Sequence, residues 1–186
     1  AGTTAPVTKT VTYGNVLSLL SGASKCWITQ NLGATNQATA VTDATEAATG
    51  WYWQFNKQQG FKIADDGTTR TPTTAWITSI SETSDWTSAN APCTLLLGTG
   101  WRIPTNAEWT YADGTGGSWT VWTGPWNSAL KLHAAGYLYN SDGVLIVRGS
   151  YGLYWSSTQS NATYGWDLYF FSGGSDMSVS VKANGF

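Results

Sequence analysis

Charge is what this sequence has least of. Among 186 residues, Lys and Arg number 9 and Asp and Glu 11, giving a formal net charge of −2. No basic stripe is available to follow a phosphate backbone, so nucleic acid is excluded as a partner. Histidine occurs once, at His133, and the two cysteines, Cys26 and Cys93, have no C-x-x-C spacing. A zinc site of the usual kind cannot be assembled from that supply, and no metal or other cofactor is expected. The most apolar stretch, Val16-Leu17-Ser18-Leu19-Leu20, falls far short of the ~20 residues of a membrane-spanning helix, so no membrane insertion is expected. Nothing repeats with a period of ~20–50 residues, which removes solenoids and propellers.

Reactive constellations are missing too. No glycine-rich phosphate loop follows a strand, no Asp series has calcium-loop spacing, and no Ser–His pairing stands out. A glycosidase needs two carboxylates ~5–10 Å apart, and the spacing of the acids nominates no pair. Glu108 reads as a helix-capping acid and Asp142 as part of a Ser-Asp-Gly turn. His133, in an apolar stretch, reads as a hydrogen-bonded core residue. The chain is therefore read as a non-enzyme.

What is present is aromatic surface: 12 Trp, 9 Tyr and 5 Phe, with 21 Gly. Each buried aromatic removes roughly 150–250 Å² from water, so a single domain of this length has ample core material. A Ser, Thr, Gly and Asn background with few Lys and Glu points to an extracellular or cell-surface β protein. The start Ala1-Gly2-Thr3-Thr4-Ala5-Pro6 has neither the basic nor the apolar region of a signal peptide, and reads as a mature terminus or the interior of a longer chain. Residues 1–12 are expected to be a linker or edge segment, and 13–186 one domain.

Periodicity predicts strands near 16–20 and 26–29, then one carrying Trp51, Trp53 and Phe55 on one aromatic face. Asp43-Ala44-Thr45-Glu46 has capping-box spacing before a helix that Gly50 ends, and Asp65-Asp66-Gly67 marks a turn. A further strand is expected over 74–80. Pro104 followed by Thr105-Asn106-Ala107-Glu108 predicts a second, better-defined helix ending at Gly114. Trp119, Trp122 and Trp126 follow no single period and read as a packed loop. Strands near 134–139, 144–147, 153–157, 166–171 and 177–182 make a late meander. The sum is an α+β fold, β-rich, with few short helices and long ordered loops.

Several segments carry a resemblance. Cys26-Trp27 with Asn31-Leu32-Gly33-Ala34, Pro92-Cys93 with Gly100-Trp101-Arg102-Ile103-Pro104-Thr105, and Tyr154-Trp155-Ser156-Ser157-Thr158 occur in order. Together they resemble the Fibrobacter succinogenes major paralogous domain family, which implies a C-type lectin-like fold. His133 departs from the family, which often has Pro there. The resemblance also implies a disulfide at Cys93, made either with Cys26 or with a cysteine that family members carry after the Gly-Phe matched here by Gly185-Phe186. Calcium-dependent sugar binding is not implied, because Trp166-Asp167 is only a fragment of the lectin calcium motif. The last fifty residues also resemble variable regions of retroelement-diversified ligand-binding proteins.

Two aromatic populations follow. Trp27, Trp51, Trp53, Trp101, Trp109 and Trp155 lie in motifs or alternating strands, where burial is the default. Tyr139, Tyr151, Tyr164, Trp166, Asp167, Tyr169 and Phe171 sit among Gly, Ser and Asn late in the chain, the composition of a binding surface. Asp167, Tyr169 and Phe171 alternate with Leu168 and Phe170, so the first set is expected to face outward. The expected function is a non-catalytic, adhesin-type module that binds a glycan or a cell-surface protein as part of a larger chain or assembly. The alternative is a structural subunit or cargo module of a filament, fibre or secreted multidomain protein.

Overall fold

A computed structural model describes residues 3–186. Fifteen short elements appear in it, most of them strands, and the fold is mixed α+β, mostly sheet with few short helices. β1 (Asn15–Ser18) and β2 (Lys25–Ile28) form a hairpin with Leu17 opposite Cys26. Val16, Leu20 and Trp27 turn inward from it, while Leu17 and Leu19 stay outside. Residues 3–12 hold no helix or strand but are docked: Pro6 is buried, Ala5 and Val7 pack inward, and Lys9 donates to Gly33 O at 2.8 Å.

The helix expected after Asp43 is a single turn, α1 (Glu46–Thr49). Asp43 does not cap it, because it accepts from Thr39 and from Thr45 within the preceding loop, and the Glu46 N–H donates instead to Asp65 Oδ1 at 2.6 Å. β3 (Trp51–Trp53), β4 (Gly60–Ile63) and β5 (Arg70–Thr71) form an antiparallel sheet in that order, with Asp65-Asp66-Gly67 turning the chain between β4 and β5. Trp51, Trp53 and Phe55 do share one face and one core cluster, but Tyr52 on the opposite face is buried as well. Trp51 and Trp53 serve one core cluster and Tyr52 another, because both faces of the strand are covered. The glycine of the Asn-Leu-Gly-Ala motif has a steric cause here: a Cβ at Gly33 would fall 2.2 Å from the Trp51 ring.

No strand forms over 74–80. Gln54 takes the place of a neighbouring strand there: its amide donates to Ile77 O at 2.6 Å and its carbonyl accepts from Ile77 N at 3.2 Å. A backbone satisfied by one side chain needs no ladder. α2 (Pro92–Leu97), which was not anticipated, begins with Pro at a position where the missing N–H costs nothing. α3 (Asn106–Tyr111) carries the full capping box of Thr105 and Glu108 and runs on into a π-helical turn, Ala112–Gly116. The tryptophan-rich loop that follows contains a short helix, α4 (Thr123–Asn127).

β6 (Tyr137–Leu138) and β7 (Leu145–Ile146) make a small hairpin. β8 (Tyr151–Gln159), β9 (Tyr164–Phe171) and β10 (Gly174–Val181) form the largest sheet, with β9 central. Leu168 and Phe170 of β9 are fully buried with Trp109, Trp119 and Leu132. Trp155 of β8 joins Trp51, Trp53, Phe55 and Trp86 in a second cluster. Phe186 exchanges two backbone hydrogen bonds with Trp53 (2.8 and 3.1 Å), and Gly185 two with Leu138 (both 2.9 Å). The last residues thus tie three of the four sheets together.

Candidate ligand-binding site

The register of the large sheet decides which late aromatics meet. Phe171 lies opposite Tyr151, Tyr169 opposite Leu153 and Asp167 opposite Trp155. On the other side, Tyr169 faces Asp176 and Asp167 faces Ser178. These residues therefore share one face of the sheet. On it Tyr151 stacks with Tyr169 (centroids 5.6 Å, 24°) and with Phe171 (5.4 Å, 25°), and Tyr169 meets Phe171 at 5.6 Å. All three rings are half-buried, leaving part of each open to solvent. Tyr137 of the β6–β7 hairpin packs edge-on against Phe186 (5.5 Å) and is electrostatically coupled to Tyr139, Tyr169 and Asp167. Tyr139, in the same hairpin, is 45% exposed.

The seven expected contact residues are thus divided. Tyr151, Tyr169 and Phe171 are brought together, with Tyr139 nearby through Tyr137. Tyr164 and Trp166 point to the opposite face, in phase with the core residues Leu168 and Phe170. Asp167 shares the aromatic face but is not outward: it is 0% exposed. Its neighbour Trp155 stacks on Phe186 at 4.0 Å, and that end of the face is closed by the C-terminal residues and the β6–β7 hairpin. No hydrogen bond of normal geometry reaches either Asp167 oxygen among the described residues; burial pushes the carboxyl up to about 7, with the nearby Ser180 hydroxyl acting the other way. Alternation along β9 was legible in the sequence. That a loop would cover one end of its outer face was not.

Cys26 and Cys93 are both free thiols and are not near each other, so the Cys26–Cys93 pairing is not formed. Cys26 sits on the outer side of the β1–β2 hairpin, where its Sγ lies 3.8 Å from Asn15 Oδ1. Cys93 is the second residue of α2, and burial pushes its thiol up to about 12, which disfavours the reactive thiolate at neutral pH.

A second feature escaped sequence reasoning altogether. A hollow of about 440 Å³ opens between the β1–β2 hairpin, β3, the 92–104 segment and residues 130–136. Motif residues remote in the chain converge on its wall, among them Trp27, Asn31, Trp101, Arg102, Tyr154 and Trp155. His133, Tyr52 and Thr49 also line it. His133 is 2% exposed, and burial lowers its imidazole to about 4, with Arg148 acting in the same direction and Asp43 against it. It is a buried neutral residue, as expected, but its Nε2 has no partner among the described residues. The Tyr154 hydroxyl donates to His133 O at 3.0 Å, and that of Tyr52 donates to Ala135 O at 2.8 Å. The rim carries Lys25, Arg102 and Lys131 against the single acid Glu108. The motifs were the available signal, since they mark what the hollow's wall is made of. Spacing alone does not reveal that the wall encloses space.

Among the described residues no group of three or more His, Cys, Asp or Glu is placed to hold a metal, and no helix is long and apolar enough to cross a membrane. The model of one family, DUF8237, a domain of unknown function, matches residues 126–186, about a third of the chain. That stretch contains the whole β6–β10 region and with it the aromatic face. No curated protein and no solved structure matches the chain.

Proposed function

We propose that this chain is a non-catalytic ligand-binding module of C-type lectin-like type, displayed outside the cell, that holds a glycan or a surface protein on its late aromatic face. The observation that carries this reading is the Tyr151–Tyr169–Phe171 cluster, partly open to solvent on the sheet with the longest strands. Rigid aromatic side chains on a strand scaffold lose little conformational entropy on binding and supply large contact areas. The order of the motifs and the mixed, mostly sheet architecture support the lectin-like assignment.

The test is a broad glycan array probed with calcium and with chelator. Binding that survives the chelator and disappears in Tyr151→Ala/Tyr169→Ala, with near-ultraviolet circular dichroism retained, is the expected result. Binding to a defined glycan that the double variant keeps would move the site elsewhere. A second reading, a structural module that packs on a neighbour, draws on a different observation: Leu17 and Leu19 are 71% and 69% exposed on the hairpin face that also presents the Cys26 thiol. A blank array from a folded, self-associating protein would favour it.

A further inference from the structure

We propose that the hollow is a second binding site, independent of the aromatic face, which takes a small organic anion with an aromatic or alicyclic body. Its volume of about 440 Å³ lies within the roughly 300–1,000 Å³ of small-molecule sites and suits a body of two or three fused rings. Trp27, Trp51, Trp101, Trp109 and Trp155 supply apolar, polarisable walls.

The sign of the ligand's charge follows from the rim. The chain as a whole is acidic, yet the residues lining this hollow include three of its nine cations and one of its eleven acids. That acid, Glu108, is already engaged, accepting from Arg102 Nη1 and Nη2 at 2.7 Å each, with Lys25 Nζ at 3.5 Å. Lys131 has no carboxylate partner among the described residues. Its Nζ lies 5.2 Å from the centre of the Trp126 ring, a position that holds a cation without neutralising it. Two positive charges therefore remain uncompensated at the mouth. Toward the interior, His133 Nε2 and Trp51 Nε1 are buried with no hydrogen-bond partner among the described residues. Buried polar atoms left unpaired are costly, and they are found where a ligand or ordered water completes the set. An anionic group at Lys131 and Lys25, with ring and acceptor atoms inside, answers both observations.

The experiment compares two fluorescent probes with the same fused-ring body, 8-anilinonaphthalene-1-sulfonate and the uncharged N-phenyl-1-naphthylamine, titrated into the folded domain at low salt. The expected result is saturable one-to-one binding of the sulfonate, about three- to fivefold tighter than the neutral probe, as befits a partly exposed charge contact. Lys131→Gln with Lys25→Gln should erase that difference while leaving the neutral probe's affinity unchanged. Ala38→Trp, at the half-buried rim, should weaken both probes with the near-ultraviolet spectrum retained. Tyr151→Ala/Tyr169→Ala should leave both affinities as they were, which separates this site from the aromatic face. Equal affinity for the two probes, sulfonate binding at several sites per chain, indifference to Lys131 and Lys25, or no binding by the folded protein would each overturn the proposal.

Discussion

The late sheet and the region before it hold aromatic side chains in opposite ways. From Tyr151 to Val181, strands of eight or nine residues pair along most of their length, with one register shift between Trp155 and Gln159, so the backbone ladder supplies much of the scaffold. Side chains on one face are then free to be half-exposed, as Tyr151, Tyr169 and Phe171 are. Between Asn15 and Ile146 the longest strand has four residues and the longest α-helix six. Order there comes from side chains reaching the backbone, such as Gln54 to Ile77 and Asn90 to Asn56, and from tryptophans packed against one another. A region built this way spends its aromatics on packing, and irregular loops packed around bulky indoles leave space between them. The late sheet offers a surface, while the hollow opens where the earlier, irregular region packs against that sheet at Tyr154 and Trp155; the difference follows how much of the order the backbone supplies by itself.

The sharpest break in that comparison is expected at Trp155, where the two regions meet. Its ring stacks on Phe186, meets Phe55 edge-on at 5.4 Å and donates to Trp53 O at 2.9 Å. Trp155→Ala should cost about 3–5 kcal/mol in denaturant unfolding, whereas Trp166→Ala, half-buried on β9, should cost no more than about 1.5 kcal/mol. Similar losses at both positions would mean that the sheet is packed as tightly around Trp166 as at the junction with the earlier region.

The next contrast is one of pH. Asp167, in the late sheet, titrates at about 7 when folded against an ordinary 3.8, so the native state holds its proton longer. Its contribution to stability is full below about pH 4 and is lost as the pH rises to 7, a change of roughly 4 kcal/mol. His133, in the wall of the hollow, titrates at about 4 against an ordinary 6.5, so its contribution is full above 6.5 and is lost as the pH falls to 4, by roughly 3 kcal/mol. Between pH 4 and 6.5 the two slopes oppose each other. Asp167→Asn should be more stable than the parent at pH 8 and should gain stability as pH rises across that window. His133→Gln should lose it. Chemical denaturation at pH 4, 5, 6 and 7 reads both slopes, and parallel profiles for parent and variants would show that these burial effects are absent.

The smallest effect is expected at Glu108, which serves the α3 capping box and the Arg102 pair together. Glu108→Gln should cost about 1–2 kcal/mol at neutral pH. Led by its hydrogen bonds from Arg102, its carboxyl is lowered to about 2, so the parent should lose this contribution only as pH falls from about 4.5 toward 2. A loss restricted to the α3 amides in hydrogen exchange would confine the effect to the cap.

Local signals were legible wherever one short segment decides its own conformation. Pro104 and the Thr105–Glu108 pair predicted α3, Asp65-Asp66-Gly67 predicted the β4–β5 turn, and alternating aromatics predicted β8 and β9. Prediction failed where a distant residue intervenes. Asp43 caps nothing because it is engaged by Thr39 and Thr45, and 74–80 forms no strand because Gln54 satisfies Ile77. Asp167 faces the expected side of β9 and is still buried, because Phe186 and the β6–β7 hairpin close over that end.

By itself, then, the sequence determined the class of the fold, the alternation along its late strands and the poverty of charge. Those properties depend on composition and on residues a few positions apart, where steric and hydrogen-bonding preferences act locally. Only the tertiary structure decided that Tyr151, Tyr169 and Phe171 form one cluster, that Cys26 and Cys93 stay apart, and that residues from Lys25 to Phe186 enclose a hollow. Each of these depends on which segments pack together across the whole chain, and packing is settled by the sum of many weak contacts rather than by any one of them.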